Sequence, residues 1–241
     1  TSSNDTNSSV NASSMLELDA IPDLRDRVAT ETRLQQYLYI LKHECKREIN
    51  LIDDLLDLSR LDADTEPLFL NEMKLQTWIP HVTYLFNERF AQRQQTLTLD
   101  LPQDLPPLTT DFAYFERVLS ELLQNAYKYT ASHEKIQVQV RLVSPPEQRS
   151  EERPDTQQSE WFQLKVSNSG IEILPEECDR IFDKFYRIPN SDPWKNPGTG
   201  LGLALVHKLV EQIQGAIAVS TTPGWTHFTV EIPSLPPSIS V

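Results

Sequence analysis

The segment "GTGLGLALV", Gly198 to Val206, sets three glycines at alternate positions and runs straight into an apolar stretch. Residues without side chains let backbone N–H groups approach a phosphate, and the positive end of a following helix adds attraction. Pro197 fixes the approach. The same composition also suits a flexible loop that merely opens a helix. The pattern is not a Walker loop, which needs Gly-Lys-Ser/Thr, nor a dinucleotide fingerprint, whose glycines are spaced differently. A second segment, "ELLQNAYKYT", holds Glu121 and Asn125 four residues apart. On a helix they share a face, while Leu119, Leu122, Leu123 and Ala126 form the buried side. A carboxylate and an amide so placed serve Mg²⁺ or a water, or simply stand as a solvated helix end. In "VSNSGIEILPEE" a strand ends at Asn168, and Gly170 permits an unusual turn or close packing. In "RIFDKFYRI", Phe182, Phe185 and Tyr186 have aromatic core packing as their default role.

The elements that must position these groups follow from periodicity. Leu34, Leu38, Leu41, Cys45, Ile49, Ile52 and Leu56 recur in steps of three and four, widened by Leu51, Leu55 and Leu58. This predicts one long amphipathic helix from about Thr30 to Asp62, whose stripe must pack on another helix of this chain or a second one. Next come a helix over Leu75 to Arg93, a strand over Thr96 to Leu101, a Pro-rich turn at Pro102 to Pro107, and a helix over Asp111 to Tyr129. "KIQVQVRLV", Lys135 to Val143, alternates as a strand. "WFQLKVSN", "AIAVSTT" and "HFTVEIP" read as further strands, with a helix over Thr199 to Gln214 among them. Pro145 to Glu160 is a charged, breaker-rich excursion. The order predicts an α+β fold, helices covering one mixed sheet. Residues 1–29 read as a poorly ordered lead-in, 30–65 as the long helix and 66–241 as the domain it precedes.

Composition narrows the function classes. Across 241 residues the formal charge is -13, so no general basic face exists for nucleic acid or an anionic membrane. An anionic ligand must be held by local groups. Two distant cysteines, Cys45 and Cys178, lack metal-ligand spacing and suggest buried or idle thiols in a reducing compartment. No apolar run approaches the ~20 residues that cross a bilayer, and a cytoplasmic location is expected.

The order of the four segments carries more than any one of them. Asn on a helix, then strand-Asn-x-Gly, then "IFDKFYR", then "GTGLGLALV" resembles the N, G1, F and G2 boxes of sensor histidine kinases. These belong to the ATPase superfamily that includes gyrase and heat-shock chaperones. "NLIDDLLDLSRLDA" resembles the second helix of the family's dimerisation and phosphotransfer hairpin, and "FDKFYRIPNSDPWK" is similar to cyanobacterial sensor kinases. The resemblance covers about Leu34 to Pro233. It implies a Bergerat-type two-layer α/β sandwich that binds ATP and Mg²⁺.

By position, the resemblance implies that Asn125 coordinates Mg²⁺ and that Lys128 and Tyr129 border the nucleotide. Glu121 would orient the attacking imidazole or water. Asn168 stands where the family usually has the Asp that accepts from the adenine amino group, with Gly170 beside it. Glu172 replaces the second glycine of that box. An ATP lid of about 187–200 would run from Phe185 and Arg187 to Gly198, Thr199, Gly200, Leu201 and Gly202, the glycines serving as hinge and phosphate-facing turn. The implied partners are a phosphoacceptor His, a response regulator receiver domain and a second copy of the chain bound through the long helix. His43-Glu44 in "KHECKRE" only partly matches the phosphoacceptor motif, since Glu48 replaces its Pro and the "LLDLSRL" run follows on the same helix. The fragment is therefore expected to begin after its true acceptor. The alternative is a catalytically degenerate nucleotide-binding and dimerisation module.

Overall fold

The computed structural model describes residues 22–63, 67–144, 160–189 and 198–234, with side chains from Arg33 onward except that of His43. Two compact units, Thr1–Ile52 and Asp53–Val241, divide the chain. In the first, the described element is the greater part of helix α1 (Pro22–Asp62). It begins earlier than the Thr30 suggested by periodicity. A proline at the first helical position is well tolerated, because the N–H it lacks would have no intrahelical partner. The apolar stripe is bare: Leu34, Leu38, Leu41, Ile49 and Ile52 are each more than half exposed. Cys45 is an exposed free thiol on the same helix, not a buried one.

In the second unit the character of α1 changes. Asp54, Leu58 and Leu61 are buried, so its final turns are part of the domain. Strands β1 (Leu70–Met73) and β3 (Leu108–Asp111) pair antiparallel. Neither was expected, because four residues are too few to show alternation and β3 directly follows the Pro-rich turn.

A five-stranded sheet has the order β2-β4-β5-β7-β6, formed by β2 (Thr96–Asp100), β4 (Lys135–Val143), β5 (Trp161–Ser169), β6 (Ala216–Thr222) and β7 (Trp225–Pro233). β2 and β4 run parallel, which demands a crossover, and helix α3 (Phe112–Tyr129) lies within it. The other pairings are antiparallel. Alternate residues form one apolar face: Ile136, Val138 and Val140 on β4, Phe162, Leu164 and Val166 on β5, Phe228, Val230 and Ile232 on β7. Helices α2 (Leu75–Gln92), α3 and α4 (Gly202–Gln212) supply the opposing layer. Trp78 of α2 stacks on Phe115 of α3 with ring centroids 5.1 Å apart. Fully burying such side chains contributes roughly 1.5–3 kcal/mol each. The expected mixed α+β sandwich is the observed one. Helix α4 starts at Gly202, later than Thr199, because Gly200 has φ +75° and lies outside helical geometry.

Candidate functional site

Helix α3 carries the polar face of the site. Its start is fixed by Asp111, whose Oδ1 accepts from the Tyr114 N–H at 3.1 Å while Oδ2 accepts from the Phe69 N–H at 2.8 Å. Val118, Leu119, Leu122, Leu123 and Ala126 occupy its buried side. Helical spacing then turns Glu121, Asn125 and Lys128 to a common side, and all three are half-buried.

Two of them meet the glycine segment. A Cβ added at Gly202 would stand 2.7 Å from Glu121 Oε2, so the missing side chain makes room for the carboxylate. At the other end of the segment, Gly198 faces the Lys128 ammonium, its added Cβ lying 4.0 Å from Nζ. Between them Gly200 packs backbone to backbone on Phe185. The Phe185 N–H donates to Gly200 O at 2.9 Å, and a Cβ on Gly200 would lie 2.7 Å from the Phe185 carbonyl carbon. Phe185 itself has φ +67°, rare for a bulky residue. The residue is 58% exposed, which corrects the expectation of core packing. Phe182 is half-buried beside the His207 ring, centroids 5.7 Å apart. Tyr186 lies under Arg180 and donates to Glu177. Thr199 Oγ1 accepts from the Leu201 N–H at 3.3 Å, and Leu201 is wholly buried, anchoring the turn.

Charges of both signs surround this face of α3. Burial pushes the Glu121 carboxyl above the usual range, opposed by Arg117, whose Nη2 is 3.3 Å from Oε1. Burial pushes the Lys128 ammonium down, opposed by Glu121 and Asp54, while Arg89 and Arg187 add to the depression. Cations thus gather where the glycine N–H groups begin.

The second wall is the end of β5, against which α3 packs. Asn168 is buried at 4% exposure, in register with Ile136 on one side and Thr226 on the other. Thr226, also buried, donates through Oγ1 to Ile171 O at 2.7 Å. Gly170 has φ +91°, and its N–H donates to Gly224 O at 2.9 Å. The Glu172 carboxylate accepts from the Gly224 N–H at 2.5 Å. This bond ties the loop after β5 to the β6–β7 turn. Ser169 Oγ accepts from the Lys135 N–H at 2.8 Å and donates to Glu134 at 2.5 Å.

Glu121, Lys128, Phe185, Gly198, Gly200 and Gly202 are thus brought together, and Asn168 and Gly170 line a neighbouring strand end. Tyr129 and Arg187 are half-buried at the ends of their segments. Residues 190–197, the middle of the expected lid, and the His43 side chain lie outside the described residues. Of the other histidines, His207 Nδ1 is 3.7 Å from Glu211, and His227 sits between Ser167 at 2.8 Å and Thr222 at 3.0 Å.

Three residues escaped sequence reasoning. Asp54 Oδ1 accepts from Arg117 Nη2 at 2.6 Å across 63 residues, which no local spacing betrays. Arg117 itself was findable, being one helical turn before Glu121. Thr226 lies on the alternating inner face of β7, a pattern that marks burial without marking a ligand.

Residues 110–236 match the family model described as histidine kinase-, DNA gyrase B-, and HSP90-like ATPase. Sensor histidine kinase CusS of Escherichia coli (strain K12) is 28% identical over 207 residues, 85% of this chain and 39% of that protein. The chain thus spans about two fifths of the length of that curated relative. Among solved structures, full-length ShkA in complex with AMPPNP superposes with a TM-score of 0.68 at 21% identity, covering 85% of this chain and 40% of that one. Histidine kinase ThkA in complex with response regulator TrrA gives 0.64 at 21% identity, covering 92% and 64%.

Proposed function

We propose that this chain, which belongs to the histidine kinase-, DNA gyrase B-, and HSP90-like ATPase family, is the ATP-binding catalytic part of a sensor histidine kinase. It transfers the γ-phosphoryl group of Mg-ATP to a histidine in two-component signalling. The observation that carries the reading is the convergence of Glu121 and Lys128 from one helix face on the two ends of the Gly198–Gly202 segment. Relatives named as sensor histidine kinases, and one solved with AMPPNP, support it.

The residues present fit a magnesium ion of the phosphate-bound kind. Among the described residues no three His, Cys, Asp or Glu side chains cluster as a protein cage. Mg²⁺ keeps several waters and is held by phosphates plus one or two oxygen donors, and the Asn125 amide is such a donor. Held there, the ion would supply neutralisation of phosphate charge. The protein's own share is positioning and charge. Lys128 and the N–H groups of Gly198, Gly200 and Gly202 hold phosphate oxygens, and Phe185 and Arg187 border the lid, about 187–200. Tyr129 lies alongside the nucleotide. Asn168 accepts from the adenine amino group, a neutral bond worth about 0.5–1.5 kcal/mol against about 1.5–3 for a charged acceptor. Glu121 accepts a hydrogen bond from one imidazole nitrogen of the acceptor, directing the other at the γ-phosphorus. The new P–N bond forms as the bond to the β,γ-bridging oxygen breaks and ADP leaves.

The acceptor histidine belongs to a fuller kinase hairpin, and His43 is not it. The bare stripe of α1 is suited to a second copy of the chain, giving a homodimer. A response regulator receiver domain takes the phosphoryl group onward, as the solved ThkA–TrrA complex suggests. No described helix is long and apolar enough to cross a membrane, and we place this part in the cytoplasm. Mixing the chain with a separate His-containing hairpin and γ-labelled ATP tests the proposal. Label should reach the hairpin histidine and spare His43. ATP binding without transfer would mark a degenerate module, and no binding would overturn the reading.

A further inference from the structure

Arg117 stands between two carboxylates with unequal claims on it. The same atom, Nη2, lies 2.6 Å from Asp54 Oδ1 and 3.3 Å from Glu121 Oε1. Asp54 is on the last turns of α1, where Leu58 and Leu61 are buried in the domain. These turns are fastened at further points: Asp62 Oδ2 is 2.7 Å from Lys184, next to Phe185, and Leu61 O accepts from Gln212 Nε2 of α4 at 3.4 Å. The helix end therefore touches α3, the Phe185 loop and the glycine helix. Glu121 uses its two oxygens differently, Oε1 toward Arg117 and Oε2 against Gly202. A guanidinium relieved of Asp54 would pair with both carboxylate oxygens, the geometry it favours, and would draw Oε2 off the glycines.

We propose that Asp54 is a positioning residue for phosphoryl transfer: by holding Arg117 it keeps the guanidinium from closing on Glu121, so the carboxylate stays turned to the Gly198–Gly202 segment. This rests on the role assigned to Glu121 above. The charged groups around Glu121 are Arg117 and Lys128 on α3 and Asp54 on α1, with the positive end of α4 at Gly202. Because Asp54 is carried by the helix that continues from the first unit, its hold on Arg117 gives the end of that helix a means of setting the site's readiness. The Asp54 charge also acts on Lys128, so its removal is expected to change the transfer rate more than ATP affinity.

The test separates this claim from the kinase reading by using a signal independent of transfer. Glu121 is followed by carboxyl carbon NMR through a pH titration of the full chain, in wild type, Asp54→Asn, Arg117→Gln and the double variant. Asp54→Asn should move the Glu121 midpoint to lower pH, since it removes a negative charge and strengthens the Arg117 contact. Arg117→Gln should move it to higher pH. In the Arg117→Gln background the Asp54→Asn shift should shrink to the part due to Asp54's own charge, the non-additivity expected of residues acting through one another. Asp54→Glu should restore the wild-type midpoint. Transfer to a hairpin in trans should fall about three- to tenfold in Asp54→Asn, a larger change than that in ATP affinity. An unmoved Glu121 midpoint in Asp54→Asn, or an undiminished shift when Arg117 is absent, would overturn the proposal whether or not the chain transfers phosphate.

Discussion

Gly202→Ala isolates the chemistry from the fold. An alanine Cβ at this position would stand 2.7 Å from Glu121 Oε2, the far end of a flexible side chain, and no backbone atom is among its close neighbours. Ordinary contact begins near 3.4 Å, so the carboxylate must retreat by roughly 0.7 Å. Gly202 is the first residue of α4 and its φ is not positive. Alanine there should cost nothing in stability and could add up to about 1 kcal/mol through helix propensity. Misplacement of a catalytic group by ~1 Å can cost 10²-fold in rate, so a retreat of this size should slow transfer roughly 10- to 100-fold. The assay is single-turnover transfer from saturating Mg-ATP to a hairpin supplied in trans, with calorimetry for ATP affinity and a thermal melt as controls. Expected are an unchanged or raised melting temperature, ATP affinity within about threefold of wild type, and a slower transfer step. Wild-type transfer in a protein of wild-type stability would refute the role given to Glu121.

Gly200→Ala should behave oppositely. Its φ of +75° and the Phe185 backbone 2.7 Å from the new Cβ leave no easy relief, so denaturant unfolding should show a loss of about 2 kcal/mol or more, with weaker ATP binding. Asn168→Asp exchanges a neutral for a charged acceptor and should tighten ATP binding by about fivefold, near 1 kcal/mol. At 4% exposure the new carboxylate should also lower the melting temperature of the nucleotide-free protein. For Glu121, burial raises the folded pKa above 4.5. The folded state then binds this proton more tightly than the unfolded one, and the resulting stabilisation, complete below pH 4.5, is lost as pH rises through the folded value. Glu121→Gln should therefore raise the melting temperature at neutral pH, with the gain disappearing below pH 4.5, while transfer falls. Melts across pH check the sign.

Much of the architecture was legible because it is written in near neighbours. The alternation of "KIQVQVRLV" defines β4 as observed, and Asp111 before an amphipathic run caps α3. Besides the earlier start of α1 and the exposure of Cys45, three expectations shifted. The α4 start moved to Gly202 because a positive φ at Gly200 precedes it, Phe185 turned outward on a strained backbone, and β1 and β3 were too short to show a period. The shared face of Glu121 and Asn125 follows from helical spacing alone, and Lys128 was added to it by the family resemblance. What stands opposite that face does not.

By itself the sequence determined which residues share a helix face or a sheet face and in what order the four motif segments occur, because hydrophobic periodicity and turn chemistry act over a few residues. The tertiary structure alone decided that Glu121 fills the space left by Gly202, that Asp54 takes hold of Arg117, and that Glu172 ties Gly224 across 52 residues. Such pairings depend on how packed layers bring distant segments together, and burial then makes each unpaired charge or missing Cβ consequential.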